Sequence, residues 1–358
     1  MELIECINKL EKSKIKAGDG EKVGKYPLYT CSPKVNKFCD YYLYNTEAII
    51  LGTGGNPVIN YHKGEFSYST DCLAIQSKGE FENKYLYYYL MSKISDISKM
   101  FRGAGIKHLN KRELFQMNIN LIDKKEQIII VKNLDRINEI IALKKKQLEE
   151  LNTIIKSQFV EMFGNIKNSI KLGECCSINA RIGWQSLTKK EHMETGEYIL
   201  VTGTDFRNNE IDYTKCVYVS KERYEMDKKI ILKNDDILIT KDGTIGKVAV
   251  VKNLIKPATL NSGIFVVRPN NIFNKEYIMY VFKGHIFKEF VNKAKTGATI
   301  KHLNQNKLIN FEIPKPSMEE QIEFSNIYKQ IDKQKFEIEK SLKETQELYE
   351  SLMEKYFG

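Results

Sequence analysis

Apolar and polar positions alternate most regularly between Lys124 and Phe163, a stretch with neither proline nor glycine. Leu134, Ile141, Leu148, Ile155 and Met162 recur every seven residues, and Ile130, Ile137 and Leu151 supply a second seam that Lys144 interrupts. A sustained heptad predicts a coiled-coil helix rather than a helix laid on a sheet. At 1.5 Å per residue it is roughly 60 Å long. A second tract, 318–357, carries Phe324, Ile331, Ile338 and Leu352 in one seam, with Thr345 interrupting, and Leu342, Tyr349 and Tyr356 in the other. An apolar seam needs a cover, so two such helices in one chain predict a pair. The antiparallel arrangement is the expected one, because a chain leaving the first helix at its far end can build the next globular unit there.

Outside these tracts the period shortens. Residues 25–33 (KYPLYTCSP) read as a short strand ended by a turn, and 41–57 (YYLYNTEAIILGTGGNP) as a strand running into a glycine-rich loop. Residues 65–77 read as a strand pair, and 84–101 as a helix whose Tyr85, Tyr88 and Tyr89 pack into a core. Residues 114–122 (LFQMNINLI) have a strand-like ending. The same plan returns in 172–186, 196–206, 235–251, 258–269 and 275–291.

The return is a duplication. Residues 103–164 align without a gap on 297–358 at an offset of 194, with 19 identities over 62 residues. GAGIKHLN opens the first copy and GATIKHLN the second. Two long units make a chain of two similar halves rather than a solenoid. The predicted fold class is α+β. Two pseudo-two-fold-related mixed α/β domains, 1–122 and 164–315, are separated by a pair of long antiparallel coiled-coil helices, 123–163 and 316–358.

Charge sharpens this division. The chain of 358 residues has a net charge of +10. The first helical tract holds 8 basic and 7 acidic residues, and the second 6 and 10, which leaves +13 on the globular segments. A basic surface of that kind suits a polyanion. The seven cysteines are scattered without a CxxC pair, so neither a zinc site nor a disulfide framework is expected, and they read as reduced cytoplasmic thiols. The start MELIECINKLEKSK has no signal-peptide core, and apolar runs such as Ile128–Val131 are far too short for a membrane span. No P-loop, no HExxH and no GxGxxG ahead of a helix is present. NPVI at 56–59 lacks the second proline and the aromatic residue of an adenine-methyltransferase motif, and Asp235, Asp236 and Lys241 have no second acidic cluster around them. No catalytic constellation and no metal site emerge. A binding and scaffolding role is the expectation.

If the polyanion is a duplex, bases are read by polar side chains on loops and phosphates by lysine and arginine. In the first unit the candidates are Thr30, Ser32 and Lys34, then Thr53 and Asn56, then Tyr68, Ser69 and Thr70. In the second they are Trp184 and Gln185, then Thr202, Thr204 and Asp205, then Lys241, Asp242 and Thr244, then Asn261 and Ser262. The repeated IKHLN adds Lys107 and Lys301 as phosphate contacts with His108 and His302 beside them, while Leu109 and Leu303 would be buried in the joint between unit and helix.

Two variable units, each closed by G-A-x-I-K-H-L-N and a heptad helix beginning near E-Q-I (126–128 and 320–322), resemble the specificity subunit of Type I restriction–modification systems. LGE at 172–174 is similar to the opening of that family's target-recognition domains, and the first unit shows no such opening. The resemblance implies a non-catalytic, cytoplasmic subunit. Each target-recognition domain would read one half of a bipartite sequence in double-stranded DNA. The helices would set the spacing and dock two methyltransferase subunits, and through them the restriction subunits. S-adenosylmethionine, ATP and magnesium would belong to those partners, with no cofactor in this chain. The alternatives are a specificity subunit of a methylation-only or other phage-defence complex and, in a different class, a coiled-coil protein-binding adaptor without DNA readout.

Overall fold

The computed structural model describes residues 1–183, 187–207, 209–295 and 302–358. The chain divides into two compact units, one of residues 1–146 and 338–358, the other of residues 147–337.

The first unit is built on a six-stranded sheet. Its strands are β1 (Ile7–Lys9), β2 (Tyr26–Tyr29), β3 (Phe38–Cys39), β4 (Tyr44–Gly52), β5 (Ile59–Tyr68) and β6 (Cys72–Ser77), in the spatial order β1-β6-β4-β5-β2-β3. All pairs are antiparallel except β2 on β5, where Leu28 lies opposite Ser67. Residues 48–52 of β4 are buried without a break because both faces are covered. Ile49 and Leu51 face the helices, and Ala48 and Ile50 face a second, smaller core with Tyr29, Phe66 and Tyr68. Helix Asn83–Ser92 buries Tyr85, Tyr88 and Tyr89 as expected. It stops at Lys93, and Ile94–Lys99 is a separate turn, so the single helix read from the sequence is two. A two-residue pair, β7 (Phe101–Arg102) with β8 (His108–Leu109), closes the unit. The strand-like ending of 114–122 reduces to a single bridge, Glu2 opposite Asn118, beside the helix Lys111–Phe115.

The long helices run Lys124–Phe163 and Met318–Phe357. Within the first unit Asn133 Nδ2 donates to Tyr356 Oη at 3.3 Å, and Lys144 Nζ donates to Ser341 Oγ at 2.5 Å and Thr345 Oγ1 at 2.9 Å. Numbers rise along one helix as they fall along the other, so the pair is antiparallel. Lys144 and Thr345, the two residues that interrupt the seams, lie opposite and satisfy each other. Gln127, in the first turn, is fully buried. Its Oε1 accepts from the Glu82 N–H at 2.8 Å, and its Nε2 donates to the Glu80 carbonyl at 3.1 Å and the Ile122 carbonyl at 3.0 Å.

The second unit opens with β9 (Ser169–Lys171) and β10 (Cys176–Ala180), followed by β11 (Tyr198–Val201), β12 (Phe206–Arg207), β13 (Glu210–Ile211), β14 (Val217–Val219), β15 (Ile237–Thr240), β16 (Val248–Val250), β17 (Ala258–Leu260), β18 (Ile264–Pro269) and β19 (Glu312–Pro314). The main sheet has the order β10-β18-β15-β16-β13-β12, and β14-β11-β17 form a second sheet. The two units match once one change is allowed. In the first, β5 is continuous and pairs with both β4 and β2. In the second its counterpart is broken into β16 and β17. The former stays with β15, and the latter carries β11, parallel, into a sheet of its own. The hairpin β12–β13 fills the edge that this leaves.

Two details complete the match. Leu3–Cys6 in the first unit and Leu172–Cys175 in the second are the same four-residue helix, leading into β1 and β10, with Leu and Cys fully buried in both. The LGE opening of the second unit therefore has a counterpart, Leu3-Ile4-Glu5, that was not recognisable as letters. Gln321 repeats the role of Gln127, accepting from the Asn274 N–H at 2.7 Å and donating to the Ile272 carbonyl at 3.3 Å and the Pro316 carbonyl at 3.1 Å. Within this unit Phe159, Phe163 and Phe324 of the long helices form one aromatic cluster with Tyr277 and Tyr280. Lys335 Nζ reaches Asn152 Oδ1 at 2.9 Å, again antiparallel. The helix read over 275–291 breaks at Gly284, whose ψ of −172° ends Lys275–Lys283 before His285–Lys295 begins.

Candidate nucleic-acid interface

In each unit four loops are fastened at one edge by the same backbone bonds. In the first, the Ser69 N–H donates to the Tyr29 carbonyl at 2.8 Å, the Thr53 N–H to the Asp71 carbonyl at 2.8 Å, and the Leu109 N–H to the Thr53 carbonyl at 2.9 Å. In the second, Asn261 donates to Val201 at 3.0 Å, Lys241 to Gly263 at 2.8 Å, and Leu303 to Lys241 at 2.7 Å. These bonds pair Thr53 with Lys241, Ser69 with Asn261, and the loop after β2 with the loop after β11. They also place His108 opposite Gly54 and His302 opposite Asp242 as isolated bridges. Leu109 and Leu303 are buried, and His108 and His302 are exposed. A glycine with positive φ occupies the same turn in both units, Gly55 at +80° and Gly243 at +66°. That conformation is open to glycine at no steric cost.

The frame is shared and the side chains on it differ. In the second unit Thr202, Thr204, Asp242, Thr244, Asn261 and Ser262 line one cleft of about 450 Å³. Asn261 Oδ1 accepts from the Ser262 N–H at 2.6 Å, which leaves its amide nitrogen without a partner among the described residues. His302 Nδ1 lies 2.5 Å from Asp242 Oδ1. Lys241 starts the same loop and its ammonium stands over the Phe265 ring. Asp205 is not on the cleft surface. It is buried, and it holds the loop together by accepting from the Thr202 N–H at 2.7 Å. Trp184, Gln185 and Lys301 lie outside the described residues.

In the first unit Thr30, Ser32, Thr53 and Thr70 are half-buried at the loop edge, and Lys34, Asn56, Lys107 and His108 are exposed. Thr30 Oγ1 accepts from the Ser32 N–H at 3.3 Å, and Thr53 Oγ1 donates to the Asp71 carbonyl at 2.8 Å. Tyr68 and Ser69 point inward and are buried. Sequence reasoning passed over Cys31. Its Sγ lies 3.1 Å from the Asp71 carbonyl, and Cys72 Sγ lies 3.6 Å from the Tyr29 carbonyl, so the two cysteines cross between adjacent loops. The neighbouring Cys72 thiol lowers the pKa of Cys31; burial opposes this, and the Gly54 and Thr53 N–H groups assist it. Asp236, weighed earlier as part of a nuclease set, is buried in a two-bond ion pair with Arg268 at 2.7 Å for each bond. Among the described residues no cluster of histidine, cysteine and carboxylate groups could hold a metal, and no helix is long and apolar enough to cross a membrane.

One frame built twice, with different polar side chains on each copy, defines a duplicated recognition protein. Residues 1–153 and 167–348 match the family described as Type I restriction modification DNA specificity domain, and the chain belongs to that family. It is 26% identical over 301 residues to the MjaVIII specificity subunit of Methanocaldococcus jannaschii, covering 75% of this chain and 69% of that one. It is 22% identical over 351 residues to the EcoBI specificity subunit of Escherichia coli, covering 88% and 74%. Against the EcoDI subunit of the same organism it is 27% identical over 156 residues, covering 44% and 34%. In fold it is similar to the Type I S subunit of M. genitalium, with a TM-score of 0.66 at 17% identity over 100% of this chain and 95% of that chain.

Proposed function

We propose that each unit reads one half of a bipartite sequence in double-stranded DNA through its loop edge, and that the antiparallel helices fix the distance between the halves. The helices also carry the docking surfaces for two methyltransferase subunits, and restriction subunits join through these. The partners supply S-adenosylmethionine, ATP, magnesium and all bond-making chemistry. The chain itself performs none and works in the cytoplasm. The observation that carries this reading is the repeated loop frame with unlike side chains. Identical backbone bonds hold both platforms, while Lys241, Asp242 and Asn261 stand where Thr53, Gly54 and Ser69 stand in the other. A platform that keeps its backbone and changes its side chains is what reading two different half-sites demands, because base edges are distinguished by donor and acceptor patterns. The excess charge of +13 on the globular segments supplies the sequence-independent part of binding.

The test is long-read mapping of modified bases in cells with and without the chain, and with Asn261→Ala and Thr244→Ala. A bipartite motif is expected to vanish without the chain, and the loop variants to relax one half of it only. A methylation pattern indifferent to the chain overturns the proposal.

A further inference from the structure

Behind the reading cleft of the second unit lies another, of about 380 Å³, lined by Lys247, Lys283 and Lys288 together with Phe206, Asn209 and Phe282. No carboxylate lines it. None of the three ammonium groups has a bonded partner among the described residues, although lysines elsewhere in this unit, such as Lys252, Lys275 and Lys329, are paired with carboxylates. Glu210, the nearest acidic residue of the hairpin β12–β13, is engaged at 2.7 Å by Lys252. The arrangement is held by the fold rather than by flexible chain. The break at Gly284 puts Lys283 at the end of one helix and Lys288 in the next. Gly246, at φ +81°, lets the loop close onto the buried Val291 of that second helix; a Cβ there would stand 2.6 Å from Val291 Cγ1. Lys247 follows directly, and it lines both this cleft and the reading cleft. Burial lowers the pKa of Lys283, the Lys252 and Lys335 charges lower it further, and Asp332 and Glu210 offset them only in part.

Three unpaired cations held around one cavity repel one another until an anion enters. We propose that Lys247, Lys283 and Lys288 hold a backbone phosphate of the duplex whose bases are read in the adjoining cleft. This rests on the DNA reading above and adds the contact that fixes the register of the second unit on the helix. The buried Gln127 and Gln321 align Glu82 with Asn274, and on that alignment Met91 replaces Lys283 in the first unit. The site therefore belongs to the second unit alone.

The experiment measures the affinity of the full chain for a random-sequence duplex and for the duplex carrying the mapped motif, between roughly 50 and 200 mM KCl. The site holds one phosphate, so emptying it lowers the slope of log K against log salt by about 0.9 in all, and a fourfold rise in salt then costs the emptied variant about threefold less than wild type. Lys283→Met and Lys288→Met are each expected to lower the slope on both duplexes, the double variant to lower it by the full amount for one phosphate and no further, and Lys283→Arg to retain the wild-type slope. Should Lys283→Met fail to fold by circular dichroism, Lys288→Met, at an exposed position, decides alone. A wild-type slope preserved in Lys288→Met, or a loss confined to the motif duplex, overturns the phosphate site while the DNA reading stands. Wild-type protein without salt-dependent duplex binding overturns both.

Discussion

Removal of Gln127 tests how the first unit is attached to its helix. The side chain is fully buried, and it pairs one N–H and two carbonyls from three separate places: Glu82, Glu80 and Ile122. Leucine fills about the same volume and offers none of these partners. At about 1 kcal/mol net per bond, Gln127→Leu is expected to lose roughly 3 kcal/mol, with the orphaned backbone groups setting the cost. Gln127→Glu is sharper. It retains an acceptor for the Glu82 N–H but turns a carboxylate towards two carbonyls. Its folded pKa is thus raised above the ordinary ~4.3. The folded state then binds more protons than the unfolded state, so stability relative to wild type falls as pH rises from ~4.3 through the raised value. Urea unfolding followed by circular dichroism gives the magnitude. Hydrogen exchange gives the location: the Glu82 amide should lose protection while the Asn274 amide, held by Gln321, keeps it. A Gln127→Leu protein within about 0.5 kcal/mol of wild type, or one whose Glu82 amide stays protected, refutes the reasoning.

Other outcomes are expected. Ser341→Ala combined with Thr345→Val strips Lys144 of its side-chain acceptors and is expected to lose about 1–2 kcal/mol in urea, which Lys144→Leu in the same background restores. Gly55→Ala and Gly243→Ala meet open space but a left-handed backbone, so each is expected to cost about 1–2 kcal/mol by thermal melting, with asparagine tolerated better. Iodoacetamide should label Cys31 ahead of the other six cysteines at neutral pH, with a rate that rises through a midpoint below that of an ordinary thiol. Cys72→Ala should move that midpoint up towards the ordinary thiol value, as followed by mass spectrometry.

The features legible in the sequence are those that repeat or alternate over many residues. The heptads, the duplication at offset 194 and the buried Leu109 and Leu303 are of this kind. Where a single residue decides, the letters were silent. Tyr68 ends a strand whose last three residues are buried on both faces, and Ser69 follows it buried as well, so no alternation marks either as inward-facing. Asp205 has the chemistry of a base-reading residue, but its position in the turn commits it to the Thr202 N–H. The helix beginning at Leu3 lacks the glycine that makes the second opening recognisable, although its buried Leu and Cys are the same. Lys283 and Lys288 were hidden inside what read as one core helix, because only the break at Gly284 turns them towards Lys247.

The buried glutamines have a mechanical meaning beyond stability. A hinge needs a segment free to change its torsion angles. At the start of each long helix that freedom is removed, since one side chain is bonded both to the segment entering the helix and to the segment leading into the neighbouring short helix. A twist of the first helical turn about its own axis must drag residues 80–82 with it, and in the second unit residues 272–274.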